Sequence, residues 1–112
     1  MRAWIAAALF LAAACSGGGS SAMAPEQLGS ELRELRSLSA ETELFRTMLI
    51  DGRVTKRFAQ GHAQYLRETA AEHGKKLTRA RVASGLEGEL AHARDIATTL
   101  GHVLDILSAQ VQ

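Results

Sequence analysis

The sequence predicts an all-α fold for residues 26–112, an antiparallel three-helix bundle with coiled-coil-like packing. Three observations lead there. This stretch contains no proline, has Phe45, Phe58 and Tyr65 as its aromatic residues, and is rich in Leu, Ala, Glu and Arg, a composition that favours helices and offers little to strands. Its apolar residues recur at spacings of three and four. Turn signals divide it into three runs, 26–50, 53–83 and 85–111, long enough to lie side by side.

The chain opens with Arg2 and an apolar run, Ala3 to Ala14. Twelve apolar residues are too few to span a bilayer, which takes about 20. A cationic start, a short apolar run and an Ala-Ala-Ala ending instead match a secretory signal peptide over residues 1–14. Cys15, the chain's single cysteine, follows at once, so no disulfide is available to the folded body.

The residues Leu11-Ala12-Ala13-Ala14-Cys15 resemble the lipobox of bacterial lipoproteins, although Ala12 stands where leucine is commoner. The resemblance covers about the first 20 residues. It implies cleavage before Cys15, diacylglyceryl thioether formation on its sulfur, N-acylation (palmitate being the usual chain) and membrane anchoring without a spanning helix. By the same resemblance, Ser16 after the cysteine favours the outer membrane, facing the periplasm, in a Gram-negative source. Ordinary secretion is the alternative, with cleavage after Ala14 or after Ala22-Met23-Ala24, where Pro25 makes a poor scissile bond. Residues 15–25 read as a flexible tether, since nine Gly/Ser-type residues reach about 15 to 18 Å.

In the first helix, Leu28, Leu32, Leu35, Leu38, Phe45 and Leu49 form one apolar stripe, and Asp51-Gly52 marks its end. The second places Val54, Phe58, His62, Leu66, Thr69, His73, Leu77 and Ala80 on one face, with Gly74 a candidate break. For the third, Ser84 and Glu87 suggest a capping box. Leu86, Leu90, Ala93, Ala97, Leu100, Leu104, Leu107 and Val111 then alternate spacings of four and three, the seam of a coiled coil.

Charge is partitioned by helix. The first carries six acidic and three basic residues, the second two acidic and eight basic, the third four acidic and one basic. A basic helix between two acidic ones suits antiparallel pairing, the other reading being a cationic docking face for lipid headgroups or an acidic partner. The body is neutral overall and has one tyrosine beside its charges, which argues against nucleic acid as a partner.

His62 and His73 lie eleven residues apart on the predicted packing face, about 16 Å along one helix, too far to share an ion. Their place on that stripe implies burial among apolar side chains, with Tyr65 or Thr69 as hydrogen-bond partners, so leucine should suit either position. Met48 with His62 is a residue-type match for haem ligation. Glu89-x-x-His92 has the spacing used by di-iron bundles, but that site needs two such elements and two further glutamates. His62, His73, Glu89 and His92 are thus the metal candidates, and no cofactor is predicted. No nucleophile elbow or phosphate loop occurs, which argues against an enzyme.

The function expected from these features is a membrane-tethered envelope lipoprotein that binds or scaffolds an envelope protein or a second copy of itself. A periplasmic metal or haem carrier is the alternative. The lipid reading makes a chemical prediction: Cys15→Ala abolishes acylation and leaves an uncleaved precursor. Mass spectrometry of the mature N-terminus checks it, and an unmodified wild-type cysteine there would refute the lipoprotein reading.

Overall fold

The computed structural model describes residues 22–112, and the predicted signal peptide, Cys15 and most of the tether lie outside that range. Among the described residues there are three helices, α1 (Pro25–Ile50), α2 (Lys56–Arg79) and α3 (Glu87–Gln110), and no strand. They form the expected three-helix bundle. Its pairing is antiparallel for α1 with α2 and for α2 with α3: Glu31 meets His73 while Glu41 meets His62, and Arg94 meets Leu77 while Asp105 meets Arg67.

α1 begins at Pro25, whose fixed φ suits the first helical position and whose missing N–H is no loss there. The Gln27 side chain turns back to accept from the Ala24 N–H at 3.0 Å. The helix ends in a Schellman arrangement: Arg53 N–H donates to the Met48 carbonyl at 3.0 Å and Gly52 N–H to that of Leu49 at 3.2 Å. That geometry places Gly52 at φ 67°, which is why Asp-Gly ends the helix.

α2 starts three residues later than residue 53 because Thr55 is its cap, accepting from the Phe58 N–H at 3.2 Å. It runs unbroken through Gly74 and stops at Arg79. Its terminal carbonyls are held by α3: Arg94 donates from Nε to Leu77 O at 2.8 Å and from its terminal nitrogen to Ala80 O at 3.1 Å. A cation at a helix C-terminus also opposes the negative end of the macrodipole.

The α2–α3 connection is pinned to the start of the described chain. Met23 N–H donates to Arg81 O at 2.6 Å, and Met23 and Val82 form an isolated parallel bridge. The expected Ser84 cap does not form. α3 begins beyond Leu86, and Glu87 Oε2 accepts from the Gly85 N–H at 2.9 Å, with Gly85 at φ 98°. Hydrogen bonds from its own backbone and from Gly85 hold the Glu87 carboxyl below its ordinary range. The ionised side chain thus does the capping that Ser84 was expected to begin.

The buried core is Leu28, Leu35, Leu38 and Phe45 from α1, Ala59, Ala63, Leu66, Ala70 and Leu77 from α2, and Leu90, Ala93, Ala97, Leu100, Leu104 and Leu107 from α3. The α1 and α3 stripes lie where the sequence places them. The α2 face does so only in part: Leu66 and Leu77 are fully buried as predicted, but with Ala59, Ala63 and Ala70 the centre of the face lies about 70° from that of the predicted stripe at 100° per residue. Phe58, on that predicted stripe, is 49% exposed. Alanines let α2 approach α3 closely, and the bulkier Phe58, His62, Thr69 and His73 fall at the edge beside α1.

The fold predicts an asymmetry between two arginines. Arg94→Ala should destabilise by about 1.5 kcal/mol, since it frees two helix-end carbonyls from a charged donor. Arg67→Ala removes the exposed pair to Asp105 at 3.1 Å and should change stability by less than about 1 kcal/mol. Urea denaturation of the two variants measures both.

Candidate functional site

Rotation of α2 brings its histidines against the acidic face of α1. Glu31 lies between Leu28 and Leu35 on the α1 stripe and is 6% exposed. A buried carboxylate must be partnered, and both its oxygens are. Oε2 is 2.6 Å from His73 Nδ1, and Oε1 accepts from Lys76 Nζ at 2.8 Å. Burial pushes the Glu31 carboxyl up, but the hydrogen bonds from Lys76 and His73, with their charge, outweigh it and hold the group below its ordinary value of 4.5. Glu31 in turn raises Lys76 through the same hydrogen bond.

The other ring nitrogen of His73 faces a second carboxylate. Its Nε2 lies 3.4 Å from Glu34 Oε2, one turn further along α1. This edge borders a shallow hollow of about 320 Å³ between α1 and α2, lined by Arg33, Glu34, Ser37, Leu38, Glu41, Thr69 and His73. His62 approaches the hollow's far carboxylate, with Nε2 at 3.6 Å from Glu41 Oε1. Its ring stacks between Phe58 and Tyr65 at 5.3 and 5.9 Å and meets the edge of Phe45 at 4.9 Å.

Both histidines are half-buried, as their spacing predicts, but their partners are not those the sequence suggested. The Thr69 hydroxyl donates to its own helix at Tyr65 O, and Tyr65 stacks rather than bonding to His62. The polar partners come from α1. Among the described residues, the group of three with ligand atoms in mutual reach is Glu31, Glu34 and His73, all within 4.8 Å of one another. It includes one sequence candidate and leaves out His62, Glu89 and His92; Glu89 and His92 are exposed on α3. Met48 is not among the ring partners of His62, which are Phe45, Phe58 and Tyr65.

A second concavity lies on the other side of α2. A groove of about 990 Å³ runs between α2 and α3, floored by Ala63, Ala70, Gly74, Ala97, Gly101 and Ser108 and rimmed by Gln64, Arg67, Arg94 and Asp105. Ser108 is 7% exposed and its hydroxyl has no hydrogen-bond partner. A Cβ built on Gly74 or Gly101 would meet nothing within 4 Å. Neither glycine is there to let the chain's own elements approach. No helix among the described residues is long and apolar enough to cross a membrane.

No protein-family model, curated protein or solved structure matches this chain.

Two outcomes follow from the Glu31 cluster. His73→Leu, which an apolar site would welcome, should instead destabilise by about 1–3 kcal/mol in urea denaturation near neutral pH, because one oxygen of a buried carboxylate loses its partner. Glu31 also makes stability depend on acid. Its folded value is lowered, so its contribution is complete above the ordinary 4.5 and is lost as pH falls below that through the folded value. Glu31→Gln should therefore flatten the fall in melting temperature between about pH 5 and about pH 3.

Proposed function

We propose that this chain is a lipid-anchored helical module of the bacterial cell envelope, held at the outer membrane through Cys15, whose folded body binds a helix of an envelope partner protein along the α2–α3 groove. The groove's two glycines carry the reading. A glycine inside a helix costs about 1 kcal/mol relative to alanine, and at Gly74 and Gly101, as at Gly61 and Gly88, no contact within the chain requires it; the first two are set apart by lining the groove from both helices. Small residues on both walls are what allows another backbone to come close. The unpartnered Ser108 hydroxyl supplies a buried polar atom for the incoming helix to satisfy.

The position of the tether is consistent with this use. Because Met23 is bridged to Val82, the chain enters the bundle at the α2–α3 loop. The opposite end carries the exposed apolar side chains Leu44, Ile50, Phe58 and Ile106. A protein anchored at Cys15 would be held through the α2–α3 loop end, which leaves the groove and the opposite end open to a partner.

A photo-activatable cross-linker at Gln64, on the groove rim, tests the partner in intact cells of the source organism. The expected result is one discrete adduct, absent when the same group is placed at exposed Arg36 on α1 and lost when Gly101→Leu fills the groove. Circular dichroism should show Gly101→Leu as helical as wild type, since the added side chain enters open space. An adduct between two copies of this chain replaces the partner by a homodimer. No adduct from membrane-held protein, or one indifferent to Gly101→Leu, overturns the assignment.

A further inference from the structure

We infer that Glu34 and His73 form a binding site for a divalent transition-metal ion of the zinc type, with Glu31 as the residue that orients the histidine ring. This inference concerns the α1–α2 seam and does not depend on the partner assigned to the groove.

The two nitrogens of His73 are in different situations. Nδ1 is 2.6 Å from Glu31 Oε2, close enough to fix the ring, and a bound ion would select the tautomer with the proton on that nitrogen. Nε2 is then the nitrogen left to ligate. It faces Glu34 Oε2 at 3.4 Å, beyond the ~3.2 Å of an ordinary N–H···O hydrogen bond. That separation fits a shared ion: two donor atoms each about 2.1 Å from a tetrahedral centre sit about 3.4 Å apart.

The surroundings match what a metal-bound histidine needs. A ligating imidazole ordinarily donates its other N–H to a carboxylate, which sets the tautomer and strengthens the ligand. Glu31 is built for that role, because Lys76 holds its second oxygen at 2.8 Å and so keeps it from turning toward the ion. Burial of Glu31 and of His73, whose side chain is 12% exposed, makes the pair rigid. Glu34 is 56% exposed at its side chain and has room to adjust to an ion. The hollow beside it gives access and open coordination positions, with Glu41 as a further anionic wall against the single cation Arg33. An imidazole and a carboxylate suit zinc and its first-row neighbours better than calcium or magnesium, which take all-oxygen sites.

The test uses the full chain, untagged and solubilised in detergent. Cobalt(II) serves as the optical probe and zinc(II) as its competitor. The expected result is saturable one-to-one binding with visible absorption bands, displaced by zinc. Glu34→Gln, a change at a half-exposed position that circular dichroism should show folded, should weaken binding at least about tenfold. Glu31→Gln should weaken it about 10- to 100-fold while leaving both ligands in place. His92→Gln and His102→Gln, on exposed positions of α3, should leave it unchanged. No saturable binding by wild type overturns the inference. So does binding that survives Glu34→Gln, or that is lost with either α3 variant.

Discussion

The close approach of α2 and α3 through alanine governs the rest of this structure. Ala59, Ala63 and Ala70 on one helix and Ala93 and Ala97 on the other are all buried, and these two helices share the most extensive interface of the bundle. With so little side-chain bulk between them, the rings of α2 do not sit in that seam, although Leu66 and Leu77 are fully buried in the core. Phe58, His62 and His73 are displaced toward α1, where the space is wider and the facing side chains are longer. Leucines of all three helices fill the remaining wedge, where the fully buried large side chains include Leu28, Leu35 and Phe45 from α1, Leu66 and Leu77 from α2 and Leu104 from α3.

Displacing the histidines onto α1 turns that seam polar. A carboxylate on the α1 stripe would be intolerable against an apolar α2 face, whereas here Glu31 finds His73 and Lys76 at hydrogen-bonding distance. The partition of charge by helix becomes specific at this point. Of the basic residues on α2, Lys76 and Arg67 each reach a carboxylate on a different neighbour, Glu31 on α1 and Asp105 on α3. These two pairs tie the acidic helices to the basic one at known registers, although only the first involves a buried partner.

Much of this fold was legible in the sequence because its signals are local. Asp51-Gly52 encodes a left-handed residue and the α3 heptad-like spacing encodes a seam, whereas the candidate break at Gly74 did not materialise. The face of α2 was not legible by size. Periodicity scored on bulky residues selects Phe58, His62 and His73 along with Leu66 and Leu77; the packing keeps the two leucines but turns inward the alanines beside the others, and an alanine reads alike on either side of a helix. Glu31 was hidden for a related reason. It sits three residues after Leu28 and four before Leu35, in register with the stripe, yet its charge assigns it to the outer face. The one signal that points to it is that register, combined with a histidine-bearing basic helix able to neutralise it. The tertiary partner must be known before that combination means anything. The same holds for the α2–α3 groove, whose glycines look like mere helix weaknesses until their open surroundings are seen.

The two concavities consequently arise from a single choice of residue size and lie on opposite flanks of α2. Small residues toward α3 leave a groove that the chain does not fill; large polar residues toward α1 build a rigid pair of carboxylate and imidazole beside a hollow. Lengthening one alanine of the seam would act on both at once. Ala70→Leu would force α2 outward from α3, and the shift would have to be absorbed at the α1 seam, where His73 is held to Glu31 within 2.6 Å. A protein interior transmits such displacements because it is close-packed. A partner helix bound in the groove, as proposed above, would press on the same helix from the same side. What the two concavities share is α2 itself, a helix whose position relative to α1 is fixed by a buried carboxylate and relative to α3 by alanine contact.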